Sequence, residues 1–466
     1  MAFTEFCCRA GGNNLNAGTL NGSSVEPSTS PVATFIGGSW NGTNIYTAPI
    51  GADLTEVIVG RAASLTPDSA TIPTVNNYSV FRITAVNAGT REITIASPFA
   101  AMTWGTIQGV SAGDRTLRIG GAWSGPSGSL PFPFIGATVH VNLLNNANVR
   151  LNLKNDSTYN VTAQLIGSDL NVSGYGTSYG DRSRAIIDGG ITGASYTLFT
   201  TNFGDGVAIV SDIWFRNNGA TGSATGVIIS SFQVYGAGSN LVVSAMKGTG
   251  LLSAGTLHEC EVFCCGAGIS ATLSINCIAH DNLGVGFASG RCFHCIADSN
   301  SGHGFRHTAN RSAAVYVSCD SYGNTGSGFR ADGGNGGLQI IQNCNSVLNT
   351  RYGIELNGPN DGAPMVIITN CGTFNNSLGS IAEVGGAFSV YLNTGNVAYA
   401  SNPYVDAANG NFQLSLASAK NSGRGSFVQT SPSYSGSIGY PDIGAVAATG
   451  GGGRPFHPLS TPQVIG

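Results

Sequence analysis

The chain has 466 residues, 68 of them Gly, and Asp, Glu, Lys and Arg together make up only 9%, with a formal net charge of −4. That balance argues against a nucleic-acid binder, which needs a phosphate-neutralising surface. No apolar run approaches the ~18 residues of a membrane span, so no membrane insertion is expected. An apolar fraction of 42% still suffices for a core, and scarce helix formers with abundant Gly, Asn, Ser and Thr point to an all-β chain rich in turns.

In chain order, the opening MAFTEFCCRAGGNNLN has no basic start followed by an apolar stretch. The expectation is a protein that leaves the cell by a route other than standard secretion, such as lysis. Residues 1–120 lack a repeat and carry a hairpin signal, with strands at 81–86 and 92–96 around Asn87-Ala88-Gly89-Thr90. They read as a small N-terminal β-barrel or sandwich. Residues 121–138 read as a linker and capping segment: a Gly/Ser/Pro stretch reaches Pro126, and a short apolar helix over 133–144 is expected to cover an open end. Val149-Arg150-Leu151-Asn152-Leu153 alternates like a strand, and 209–218 and 225–231 read as strand, Asn turn, Gly and strand again.

From Cys260 the pattern sharpens. Asn282, Asn300, Asn324, Asn349 and Asn376 each stand five residues after Cys277, Cys295, Cys319, Cys344 and Cys371. Five residues further come Phe287, Phe305, Phe329, Ile354 and Ile381, preceded by Gly in the first four. The first unit is imperfect, with Cys265 in the Asn position and Ile269 one residue early. Intervals from Cys260 onward are 17, 18, 24, 25 and 27 residues, so insertions fall outside a constant core. Such repetition marks a solenoid. Alternation around each Cys, as in Val315-Tyr316-Val317, marks its strands. The Asn is expected to take the left-handed turn conformation, its amide hydrogen-bonding along the axis, and the Gly to let the chain bend again. Each unit then forms one coil of a parallel β-helix with Cys, Asn and Phe/Ile ladders.

These units resemble the right-handed, single-stranded parallel β-helix repeats of the pectate-lyase-like superfamily. A second match is Asn402-Pro403-Tyr404-Val405-Asp406, Asn411-Phe412-Gln413-Leu414, Ser418-Ala419, Gly423 and Pro441-Asp442-Ile443-Gly444-Ala445-Val446. It is similar to the closing segment of many such proteins, except that Ser418-Ala419 replaces a Ser-Pro. The β-helix is placed at 139–448, followed by a Gly/Pro-rich extended tail at 449–466.

The resemblance also suggests sites to weigh. Gly302-His303-Gly304 is similar to a polygalacturonase tripeptide, but the accompanying Asn-Thr-Asp, Asp-Asp and Arg-x-Lys are missing. The equivalent tripeptides read Gly-Val-Gly and Gly-Ser-Gly, so His303 reads as the filler of a variable position. Asp298, Asp320, Arg306 and Arg330 are weak candidates for a polar patch; the acids, at unequal offsets from their cysteines, are not expected to stack on one face. Cys292-X-X-Cys295 invites zinc, but Cys295 is committed to the ladder, and parallel Cβ vectors disfavour disulfides, so free buried thiols are expected. Trp40, Trp104, Trp123 and Trp214 offer sugar stacking, though three of them precede the helix and read as barrel core. No cofactor and no metal is expected.

The layout of domain, linker and helix looks like phage spike architecture. Together with the lack of an export signal, the very low charge, the separate N-terminal domain and a capped β-helix without convergent acids, it points to a non-catalytic virion structural protein: a tail spike, fibre or capsid decoration protein. Its partners would be other virion proteins through the N-terminal domain, itself as a homotrimer, and host surface glycan. The alternatives are a polysaccharide lyase or hydrolase on the same fold and a bacterial cell-surface adhesin. About 11 coils at ~4.8 Å give a rod of roughly 50 Å.

Overall fold

The computed structural model describes residues 4–8, 31–67, 81–96, 112–122, 149–156, 158–161, 165–168, 171–177, 180–189, 198–202, 209–217, 227–229, 237–307, 313–332, 338–357, 365–384, 390–416 and 418–419. They fall into two compact units, one built mainly from Met1–Thr192 and the other mainly from Ala237–Gly466. Among the described residues no helix is long and apolar enough to cross a membrane. Trp104, Trp123, the capping segment at 133–144, the Pro441–Val446 motif and the tail at 449–466 lie outside the described residues.

In the first unit six antiparallel strands close a barrel: Ala33–Trp40, Ile45–Thr47, Arg61–Pro67, Phe81–Asn87, Glu92–Ala96 and Gly113–Ala122. The expected hairpin is there, with Val86 opposite Ile93. Trp40, Tyr46, Leu65, Ile83, Ile93, Ile95, Leu117 and Ile119 fill the interior. Tyr46 Oη lies 2.9 Å from the carbonyls of both Phe35 and Arg115, which share its single proton. A Cβ on Gly38 would run into the Tyr46 ring, so only Gly fits there.

The same unit holds parallel coils, in which Val149–Lys154, Asn171–Tyr175 and Ile209–Ser211 stack in one sheet. Thr158–Val161, Ala185–Gly189 and Ile213–Arg216 stack in a second. Thr4–Cys8 extends the first sheet, Thr4 opposite Val149 and Cys8 opposite Leu153. Residues 4–8 therefore sit on the coils, although 1–120 was expected to be one separate β-domain.

The second unit contains the ladder. Each coil contributes a strand to a first face (Arg291–Phe293, Ala314–Val317, Leu338–Gln342, Met365–Thr369), all parallel and in register. A second face follows (Glu261–Phe263, Ile278–His280, Ile296–Asp298, Asp320–Tyr322, Asn345–Val347, Gly372–Phe374). The third holds Phe305–His307, Phe329–Asp332, Tyr352–Asn357 and Gly379–Glu383. The coils form a parallel β-helix. Phe305, Phe329, Ile354 and Ile381 are direct neighbours across the coils, and bridges through Phe287 extend the column to Ile269. The Phe rings stack 4.8–4.9 Å apart within 7° of parallel. Each fully buried ring contributes about 1.5–3 kcal/mol.

The Asn residues form one buried column. Nδ2 of Asn282, Asn300, Asn324 and Asn349 each donates to Oδ1 of the next Asn at 2.9 Å. The backbone N–H of each donates to the same oxygen at 3.0–3.2 Å. Cys265, in the Asn position of the imperfect unit, donates its backbone N–H to Asn282 Oδ1.

Two expectations about turns are corrected. The left-handed residue is not the ladder Asn but the one before it: Asp281, Ser299, Gly323, Leu348 and Asn375 have φ between 48° and 63°. A second left-handed corner precedes every column Cys, at Glu259, Asn276, His294, Ser318, Asn343 and Asn370. The corner residue turns the chain, and so the next side chain enters the interior. Nor does Gly328 bend the chain through positive φ. A Cβ there would meet the Gly353 carbonyl at 2.8 Å, so close approach of successive coils is what requires glycine.

Asn324→Ala removes the acceptor for both Asn300 donors and should destabilise the protein by about 2–4 kcal/mol. Ser301→Ala, at an exposed position, should stay within about 0.5 kcal/mol, both read from urea midpoints.

Candidate functional site

Two polar clusters stand on different faces of the second unit. On the third face Arg306, Arg330 and Glu355 share one column, one residue after the buried Phe or Ile, and Asp332 lies two residues beyond Arg330. Period two points all four outward. Asp332 receives Arg306 Nε at 2.6 Å, Arg330 Nε at 2.7 Å and Asn357 Nδ2 at 2.9 Å. Burial opposes its charge, but these three donors outweigh it and hold the carboxyl below its usual range. Glu355, 1% exposed, meets Arg330 Nη1 at 3.3 Å and Arg351 Nη2 at 3.4 Å, and Ser327 Oγ donates to its other oxygen. The result is an alternating chain, Arg306–Asp332–Arg330–Glu355–Arg351, with cations at both ends.

His303 borders this chain. Its Nδ1 accepts the Ser327 backbone N–H at 2.9 Å, and its Nε2 lies 3.3 Å from Arg330 Nη1. Burial first, then the charge of Arg330, hold the imidazole pKa down at about 4. It is neutral at pH 7 and can accept through one nitrogen only, while the Ser327 N–H faces Nδ1 and the donor-only Arg330 faces Nε2. Whichever nitrogen carries the lone pair a base would use, a protein donor faces it.

The second cluster lies on the second face. His280 Nδ1 is 2.7 Å from Asp281 and Nε2 is 3.2 Å from Glu261, and its ring stacks 5.1 Å from that of Phe263. Burial alone would lower its pKa, but the two carboxylates outweigh that and raise it to about 9. Asp298, the next residue in the column, is raised to about 6, chiefly by burial, against a hydrogen bond from Ser299 and the charge of His280.

Asp320 is on this face too, two residues earlier in its strand than the position Asp298 occupies. Offsets of three and one from the cysteines share parity, so the two acids point the same way, but Asp298 stands opposite Tyr322 and Asp320 opposite Ile296, so they do not stack. They do not form one site. The closing segment packs over Asp320, with Tyr404 Oη donating at 2.7 Å and Asn345 Nδ2 at 2.9 Å. Tyr399, Tyr404, Phe412 and Leu414 bury it beside Ile296 and Val347. Arg306 and Arg330 are on the other face, so the structure does not bring the four candidate residues together. Asp332, Glu355, Ser327 and Arg351 were not singled out from the sequence. Counting one and three residues past each ladder apolar residue would have found the first two.

The remaining sequence candidates are structural. Cys260, Cys265, Cys277, Cys292, Cys295, Cys319, Cys344 and Cys371 are free and buried, whereas Cys264 is free and exposed. Among the described residues no three His, Cys, Asp or Glu side chains converge as metal ligands. Trp40 lies in the barrel core. Trp214 is half-buried on the outside of its sheet, with Arg216 5.5 Å over the ring and Arg216 bound to Asp188 at 2.7 Å.

No family model matches the chain, and no curated protein does. Among solved structures it is similar to the Dettilon tailspike protein, with 12% identity, 53% of this chain and 60% of that one covered, and a TM-score of 0.38. It is also similar to pectate lyase Pel9A, with 15% identity, 71% and 93% covered, and a TM-score of 0.32. A third is the catalytic unit of a GH87 α-1,3-glucanase from Streptomyces thermodiastaticus, with 10% identity, 79% and 89% covered, and a TM-score of 0.32. The match thus covers less than two thirds of the tailspike's length. These likenesses concern fold alone; the parallel β-helix rests on the registers above, and no residue role passes from these proteins to this chain.

The raised pKa of His280 has a signed consequence. Its stabilisation is complete below its ordinary value of 6.5 and is lost as pH rises through about 9. Urea midpoints of the protein should fall across that window, and His280→Gln should flatten the decline.

Proposed function

We propose that this protein is a virion structural protein, a spike or decoration protein of a phage particle, whose coils form a rigid scaffold. One observation carries the reading: three outward-facing acids of the ladder coils are tied to neighbours, Asp332 and Glu355 by the same in-register stacking that builds the core and Asp320 by a coil neighbour and the closing segment. Asp332 is held by two arginines, Glu355 by two arginines and Ser327, and Asp320 by Tyr404 and Asn345. A general acid must exchange its proton with a substrate, and carboxylates committed in this way stiffen a surface instead. The barrel is the proposed attachment domain to other virion proteins, with self-association as a trimer and host glycan as further partners.

A second reading, a polysaccharide-cleaving enzyme, draws on one feature. Arg330 bridges Asp332 and Glu355, so two carboxylates share one patch, as glycoside hydrolysis requires. Imaging of purified particles should find the chain at fixed copy number and symmetry; its absence from particles would overturn the first reading. Incubation with host capsule polysaccharide should release no new chain ends. If ends do appear and Asp332→Asn or Glu355→Gln lowers their release about a hundredfold, the second reading replaces the first.

A further inference from the structure

The six column cysteines, Cys260, Cys277, Cys295, Cys319, Cys344 and Cys371, are each at most 1% exposed, and none is in a disulfide. Each Sγ lies 3.4–3.7 Å from a carbonyl of the preceding coil. It also lies 3.2–3.5 Å from the carbonyl two residues before it. The sulfur thus packs in the contact between coils. Cys292, in the neighbouring interior column, and Cys265, in the Asn position of the imperfect unit, are two further buried thiols.

Stacked side chains in register have parallel Cβ directions, whereas a disulfide needs a torsion near 90° and sulfurs ~2 Å apart. A disulfide between column neighbours and a closed stack therefore exclude each other. In the open chain nothing prevents it. Neighbouring column cysteines are 17–27 residues apart, and closing loops of that size costs little entropy. With a small-molecule disulfide such as oxidised glutathione, a thiolate attacks and forms a mixed disulfide. A second cysteine thiolate then displaces the remaining glutathione. The chain loses two thiol protons and two electrons, and the oxidant becomes two reduced glutathiones.

We infer that the chain closes its coils only while these cysteines are reduced, in a reducing compartment, and that closure then shields them from an oxidising exterior. Burial also pushes most of these thiols well above their ordinary pKa, which leaves little thiolate to react. A chain that folds inside a cell and leaves within an assembled particle meets that order of events. A chain exported unfolded into an oxidising space does not. The inference bears on the virion reading, but its test needs no particle, so the two can fail separately.

The full chain, unfolded with reductant present, is diluted into buffer containing either reduced or oxidised glutathione. Recovery of native β circular dichroism should be at least several-fold lower in the oxidised buffer. Separately, the native chain is treated with iodoacetamide and its peptides are weighed. Cys264 should be modified, and the eight buried cysteines among the described residues only after denaturation. Equal recovery in both buffers, or a disulfide joining two column cysteines in the folded chain, would overturn the inference.

Discussion

The structure depends on the amide column. Each ladder Asn in the run from Asn282 to Asn349 sends two N–H groups, one from the side chain and one from the backbone, to the side-chain oxygen of the next coil. The amides point the same way along the axis, so each bond polarises the next in an interior where an unpaired amide is costly. A coil shifted by one residue would leave both donors unpaired and turn an apolar side chain outward. Register is therefore held at one point per coil. The loops between Asn columns are left free to vary, as the unequal repeat intervals require.

That constraint also shapes the surface. In-register strands sort outward side chains into columns as strictly as inward ones, so Arg306, Arg330 and Glu355 line up because Phe305, Phe329 and Ile354 do. With so few charges in the chain, those that align pair with each other. On the second face the alignment instead places Asp320 beneath the closing segment, where Tyr404 and Asn345 replace water as its partners. Chemistry on such a scaffold would need a group that escapes this pairing. His303 does not, since each of its ring nitrogens faces a protein donor.

The coil architecture was legible in the Cys, Asn and Phe/Ile spacing because those positions point into a tight interior that tolerates few residue types. The corners were not legible. Asp281, Ser299, Gly323, Leu348 and Asn375 share a left-handed conformation and little else, because the corner is defined by the backbone rather than by a side chain. The pairing of Thr4–Cys8 with Val149–Leu153 was hidden by the long intervening sequence. The burial of Asp320 depends on Tyr404, 84 residues on, and no local pattern announces it. Asp332 and Glu355 could have been reached by extending the ladder count to the outward positions, whereas their ion pairs with Arg306, Arg330 and Arg351 required coordinates.

Side-chain amide hydrogen exchange, followed by NMR on protein labelled with nitrogen-15 at asparagine, tests the central claim most directly. If the column holds the coils in register, the Nδ2 protons of Asn300, Asn324 and Asn349 will be protected together, exchanging only when the stack itself opens. Exchange of those three at the rate of exposed asparagine, while neighbouring strand amides stay protected, would contradict it.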